Sequence, residues 1–154
     1  MRFWDTSAIL PLLVTEKESV LCRRLLEDDP EMLVWVLTPT EIYSACYRKV
    51  REGMLGEDVI SDVRSRLMVL ETCWSTVVSF EVVQAIATRL LAVHPLRAAD
   101  ALQLAAALVA FEERPIGAEF VSLDARLNHA AQREGFQILP DDPANRSASP
   151  CACK

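Results

Sequence analysis

From Ala98 to Phe111 the chain reads Ala-Ala-Asp-Ala-Leu-Gln-Leu-Ala-Ala-Ala-Leu-Val-Ala-Phe, and only Asp100 and Gln103 are polar. A helix that is apolar almost all round belongs in the middle of a domain, not on its surface. Its alanines favour the helix and let neighbouring backbones come close. Asp100 falls in the first turn and Gln103 one turn later, so the two share a face. A carboxylate carried into a core is costly unless it is paired, hydrogen-bonded or bound to a metal. Asp100 could cap the helix or complement its dipole, worth about 0.3–1 kcal/mol. It could equally be a ligand. What else reaches the same place decides between the two.

The rest of the chain alternates strand-like and helix-like stretches. Arg2-Phe3-Trp4 opens as a short strand ending at Asp5-Thr6-Ser7, and a helical turn follows from Ser7. A second helix is expected from Glu16 to Asp28, stopped by Asp28-Asp29-Pro30. The run from Leu33 to Leu37 has the length and apolarity of a strand buried on both faces. It leads into Thr38-Pro39-Thr40-Glu41, a helix start with Thr38 as N-cap and Glu41 completing a capping box. That helix should run to about Arg51, with another from Glu57 to Leu70.

Ser75 to Phe80 reads as a strand, Glu81 to Val93 as a helix closed by His94-Pro95, and Phe120 to Leu123 as a strand delivering Asp124. A helix from Ala125 to Glu134 with Gly135 as C-cap and a last strand from Phe136 to Leu139 complete the pattern. Such alternation predicts an α/β domain with a mostly parallel sheet over residues 1–140. Residues 141–154, rich in Pro, Ser, Asn and Asp and without periodicity, are expected to form a disordered tail.

Composition narrows the function. With 154 residues and 51% hydrophobic content, one domain with a substantial core is expected. No apolar run approaches the ~18 residues of a membrane span, and no signal peptide is visible, so a cytoplasmic protein is expected. Cys22, Cys46 and Cys73 lie in apolar patterns and are expected to be buried thiols, while Cys151 and Cys153 form a pair without partners. The net charge of −6 argues against strong nonspecific binding to nucleic acid.

Asp5, Glu41 and Asp124 share one address: each lies just past the carboxyl end of a strand or in the helical turn after it. In open parallel sheets those ends converge on one crevice, which Asp100 can also reach. Four gathered carboxylates repel one another, and Mg²⁺ or Mn²⁺ is the natural compensation. Each has a structural alternative: a capping box for Glu41, an Asx turn for Asp5, a helix cap for Asp124. Other chemistries fit less well. His94 is read as a helix end and His129 as a surface residue, neither beside a nucleophile, and four glycines give no phosphate-cradling loop.

The segments Phe3–Ala8, Thr38–Arg48, Leu96–Ala105 and Val121–Leu127, in this order and spacing, resemble PIN-domain ribonucleases, most closely VapC-type toxins of toxin–antitoxin pairs. The resemblance covers residues 1 to about 139. It implies a three-layer α/β/α fold and Mg²⁺- or Mn²⁺-dependent hydrolysis of RNA phosphodiesters. Asp5, Glu41, Asp100 and Asp124 match the family's acidic positions, and Ser7 and Ser122 match hydroxyls that assist the site.

Gln103 stands where histidine is frequent, and Trp4 is bulky before the first aspartate. A small antitoxin and a homodimer are the implied partners. Arg97 and Arg126, beside Asp100 and Asp124, are the foremost phosphate-binding candidates. Arg48, Lys49, Arg51, Arg64 and Arg66 could line an RNA path or only solvate helix faces. The competing readings are a non-catalytic PIN-like module that grips RNA or protein, and a metal-dependent enzyme acting on DNA flaps or small phosphates.

Overall fold

Five short strands make a sheet whose central members bury residues on both faces, so it must be covered on both sides, and the helices between them do so. The computed structural model describes residues 1–141. In chain order the elements are β1 (Arg2–Trp4), α1 (Thr6–Leu13), α2 (Ser19–Asp28), β2 (Met32–Trp35), α3 (Thr38–Arg51), α4 (Val59–Glu71), β3 (Trp74–Val77), α5 (Phe80–Val93), α6 (Ala98–Ala110), β4 (Glu119–Val121), α7 (Ala125–Glu134) and β5 (Gln137–Leu139). The sheet order is β3-β2-β1-β4-β5, with every pair parallel. A mostly parallel sheet was expected; among the described residues it is wholly so. The tail expected over 141–154 lies, but for Asp141, outside the described residues.

Successive strand residues point to opposite faces, and this divides the core in two. Phe3, Leu33, Trp35 and Phe120 pack with α5, α6 and α7. Trp4, Met32, Val34 and Val121 pack with α1, α3 and α4. The Phe3 and Phe120 rings of neighbouring strands stack with centroids 5.5 Å apart. Helix α6 lies between α5 and α7 against β2. Ala101, Ala105, Ala106 and Ala107 are fully buried there, as the apolar run from Ala98 demands. Gly135 closes α7 in the left-handed region at φ 107°, the C-cap expected from the sequence.

Arg2 is buried where β1 meets α2. Its guanidinium bonds Asp28 and Glu119, each at 2.6 Å, and the Leu25 carbonyl at 2.7 Å. Burial by itself would lower its proton affinity. The bonds to Glu119 and Asp28 outweigh that and raise it, so the charge is kept and ties the α2 end to β1 and β4.

Three expectations need correction. Cys73 is exposed, unlike buried Cys22 and Cys46, because it leads into β3, the outermost strand. Strand β2 stops at Trp35, leaving Val36 and Leu37 exposed in the turn, and β3 stops at Val77, so that Phe80 opens α5. Thr38 is not the N-cap of α3. Leu37 takes that place, and no side chain caps it. Thr38 is instead fully buried, with its hydroxyl 3.4 Å from the Gln103 amide nitrogen. A donor from another helix has displaced the local capping box.

Candidate active site

The strand order reverses between β1 and β4: the chain leaves β1 for β2 on one side and later returns to β4 on the other. Crevices for ligands open at such switch points, beyond the carboxyl ends of the strands. Asp5 follows β1 directly, and Ser122 and Asp124 follow β4.

Asp5 is the N-cap of α1 and is only 5% exposed. Its Oδ2 accepts from the Ser7 backbone N–H at 3.0 Å, from the Ser7 hydroxyl, and from the Ser122 hydroxyl at 3.2 Å. Ser7 Oγ in turn accepts from the Leu123 N–H at 2.9 Å, and Ser122 Oγ from the Asp124 N–H at 3.1 Å. The two serines thus stitch the end of β1 to the end of β4. Asp124 caps α7 through Oδ1, which accepts from the N–H groups of Arg126 and Leu127 at 2.8 and 2.9 Å. In both aspartates one oxygen caps a helix, while the other has no hydrogen-bond partner among the described residues. Capping and ligation, alternatives in the sequence, are compatible here.

Glu41, in the first turn of α3, is held from two other elements. Its Oε2 accepts from the Thr6 hydroxyl at 2.6 Å and from the Gln103 amide at 2.7 Å. The same amide nitrogen donates to Thr6 Oγ1 at 3.0 Å. Asp100 reaches back to the backbone N–H of Arg97, the N-cap of α6, at 3.3 Å. From the sequence, no role is assigned to Thr6 or to Gln103. The signal available was that Gln103 is the one uncharged polar side chain in an otherwise apolar helix.

Three of the acids feel one another's charge. Burial pushes the Asp5 carboxyl above its ordinary range; bonds from Ser7 and Ser122 oppose the shift, and the charge of Asp100 adds to it. Burial also raises Glu41, against the bonds from Thr6 and Gln103 and with the charges of Asp5 and Asp100. No arginine or lysine pairs with Asp5, Glu41, Asp100 or Asp124 among the described residues.

The donor set of carboxylate and hydroxyl oxygens, short of positive charge, fits a hard divalent cation. No three acidic, histidine or cysteine side chains among the described residues stand close enough to cage an ion unaided. Mg²⁺ needs no such cage, because it keeps several waters and is commonly held by one or two carboxylates plus substrate phosphates. Asp124 joins the others through Ser122 rather than through a direct contact.

The basic candidates separate. Arg97 and Arg126 are exposed at the N-termini of α6 and α7, without ion pairs among the described residues. Lys49 pairs with Glu16 at 2.6 Å, tying α3 to the α1–α2 connection, and Arg66 bonds the last-turn carbonyl of Leu13 at 3.0 Å, tying α4 to α1. Arg48 and Arg51 lie exposed on α3, and Arg64 borders an open cleft of about 490 Å³ between α3 and α4 with Tyr43 and Tyr47. His129 is exposed on α7, as expected. His94 ends α5 as expected, but it is buried, bonding Glu134 at 2.7 Å away from this crevice.

The family model of the PIN domain matches residues 2–133. The chain belongs to the PIN-domain family. PIN domains are generally nucleases, hydrolases that typically use divalent metal ions, and their substrates are nucleic acids. The all-parallel sheet flanked by helices accords with the PIN fold. Comparison with curated proteins gives no match. No helix of the described PIN domain is long and apolar enough to cross a membrane.

Proposed function

We propose that this PIN domain is a Mg²⁺- or Mn²⁺-dependent endoribonuclease, acting in the cytoplasm as the toxin of a toxin–antitoxin pair. The observation that carries the reading is the buried Asp5 carboxylate at the switch point, bearing the charge of Asp100 and acting in turn on half-buried Glu41, with no cationic side chain paired to any of them among the described residues. Asp5, Glu41, Asp100 and Asp124 would hold the ion. When bound, such an ion would supply a lowered pKa for an attacking water and a counter-charge at phosphorus.

The chain's own part is orientation. Ser7 and Ser122 fix one oxygen of Asp5, and Thr6 and Gln103 fix one oxygen of Glu41. Arg97 and Arg126 are exposed at the N-termini of α6 and α7, next in the chain to the helical turns that carry Asp100 and Asp124. Their positive charge supplies local attraction that the net charge of −6 does not. A small antitoxin protein is the expected partner and a homodimer the expected assembly, both resting on the likeness to VapC-type toxins. The test is cleavage of structured RNA with Mn²⁺ or Mg²⁺ against an EDTA control. Turnover in EDTA, or none with either metal, contradicts the reading.

A second reading is a PIN domain that grips RNA or protein without cutting. RNA binding that persists in EDTA, with no cleavage in metal, would establish it.

Arg97 provides a sharper prediction. Arg97→Ala weakens RNA binding and reduces the slope of log affinity against log salt by about 0.7, the share of one contact to single-stranded phosphate. Mn²⁺ affinity measured without RNA stays unchanged. A collapse of Mn²⁺ binding would instead make Arg97 a support for the carboxylates.

A further inference from the structure

We infer that Gln103 is the positioning residue of Glu41, a neutral clamp that aims the carboxylate without neutralising it. This rests on the metal-centre reading above. Gln103 is 1% exposed and projects from α6 toward α1 and α3. Its amide nitrogen meets Glu41 Oε2 at 2.7 Å and Thr6 Oγ1 at 3.0 Å, while the Thr6 hydroxyl donates to the same Glu41 oxygen at 2.6 Å. The three groups form a closed triangle drawn from three helices. Both bonds to Glu41 fall on Oε2, and Oε1 has no partner among the described residues. One oxygen is fixed and the other is left to a ligand.

A second observation shows what sets the amide's orientation. Gln103 Oε1 is buried without a hydrogen-bond partner. Such an orphaned acceptor is costly, and rotating the amide would exchange its two ends. Rotation would, however, turn Oε1 toward the Glu41 carboxylate, acceptor against acceptor. The amide therefore keeps its N–H on Glu41 at the expense of its own carbonyl. An arginine or lysine here would bond the same oxygen, but its charge would compete with a cation. An amide orients the carboxylate and leaves the negative charge in place.

The experiment is calorimetric titration of Mn²⁺, without RNA, into the wild type, Gln103→Met, Glu41→Gln and the double variant. Thr6→Val and Thr6→Ser serve as a second route should Gln103→Met fold poorly. Groups that orient a metal ligand are typically worth 10–100-fold in affinity. Gln103→Met is expected to weaken Mn²⁺ binding by about that factor, and Thr6→Val likewise, while Thr6→Ser retains binding. In the Glu41→Gln background, Gln103→Met should add no further loss, because its effect passes through Glu41. An equal loss in both backgrounds, or no loss in either, overturns the clamp while leaving the metal centre standing. A wild type that binds no Mn²⁺ overturns both.

Discussion

Asp5→Asn is expected to abolish RNA cleavage and at the same time make the metal-free protein more stable. The two effects have one cause. Asp5 is 5% exposed, its carboxyl is raised by burial, and the charge of Asp100 bears on it. Removing its charge relieves both penalties. Asparagine also caps a helix about as well as aspartate, so α1 keeps its start. The amide's carbonyl oxygen can still accept from Ser7 and Ser122.

On the proposed metal-centre reading, catalysis loses one of the carboxylates that would hold the ion. A metal contributes several kcal/mol of transition-state stabilisation, and each 1.36 kcal/mol is tenfold in rate, so kcat should fall roughly 10³-fold or more. Urea unfolding in EDTA should show a higher midpoint at unchanged slope. A variant that is destabilised without metal and still active would show Asp5 to be a cap alone.

The metal-free wild type is expected to gain stability as the pH falls from neutral through the raised folded values of Asp5 and Glu41. The sign follows from the folded-state shifts of Asp5 and Glu41, both upward. Between the raised folded value and the unfolded value of roughly 4, the folded protein binds more protons than the unfolded chain. Stability therefore decreases as the pH rises through that window and increases as it falls. Glu134 acts in the opposite sense. Burial would raise it, but bonds from Arg89 and His94 prevail and hold its carboxyl below the ordinary value. Its contribution is present above about pH 4.3 and is lost as the pH falls through the lowered folded value.

Metal-free stability should thus pass through a maximum in mildly acidic solution and decline below it. Saturating Mn²⁺ should remove the rise, because bound carboxylates stay ionised. Urea unfolding in EDTA, stepped from neutral pH to below about pH 4, measures this. Stability that shows no rise anywhere between neutral pH and about pH 4 would mean that Asp5 and Glu41 are not strained when ionised.

The parts of this molecule that were legible in the sequence are those that local pattern controls. Helix α6 could be read because an alanine-rich apolar run has no other place in a domain, and Gly135 because a left-handed C-cap favours glycine. Asp5 and Asp124 were placed by following strands to the caps of the next helices. The misreading of Thr38 and Glu41 has the opposite origin. The capping-box pattern is complete within four residues, yet a glutamine 62–65 positions away claims both side chains. The exposure of Cys73 depends on β3 being the sheet edge, which the strand order decides. The fate of Lys49 and Arg66 depends on partners in and beyond α1, and no charge pattern within one helix reveals them.

The metal centre is tested most directly by thermal melts of the wild type and Asp100→Asn, first in EDTA and then with rising Mn²⁺. Asp100 sits in the first turn of α6 and shares its field with Asp5 and Glu41. The wild type should gain about 2.7 kcal/mol at a hundredfold excess of Mn²⁺ over its dissociation constant. Asp100→Asn should melt no lower than the wild type in EDTA and lose most of the metal-induced gain. Equal Mn²⁺-induced shifts in the two proteins, or none in the wild type, would contradict the assignment of these carboxylates as a metal centre.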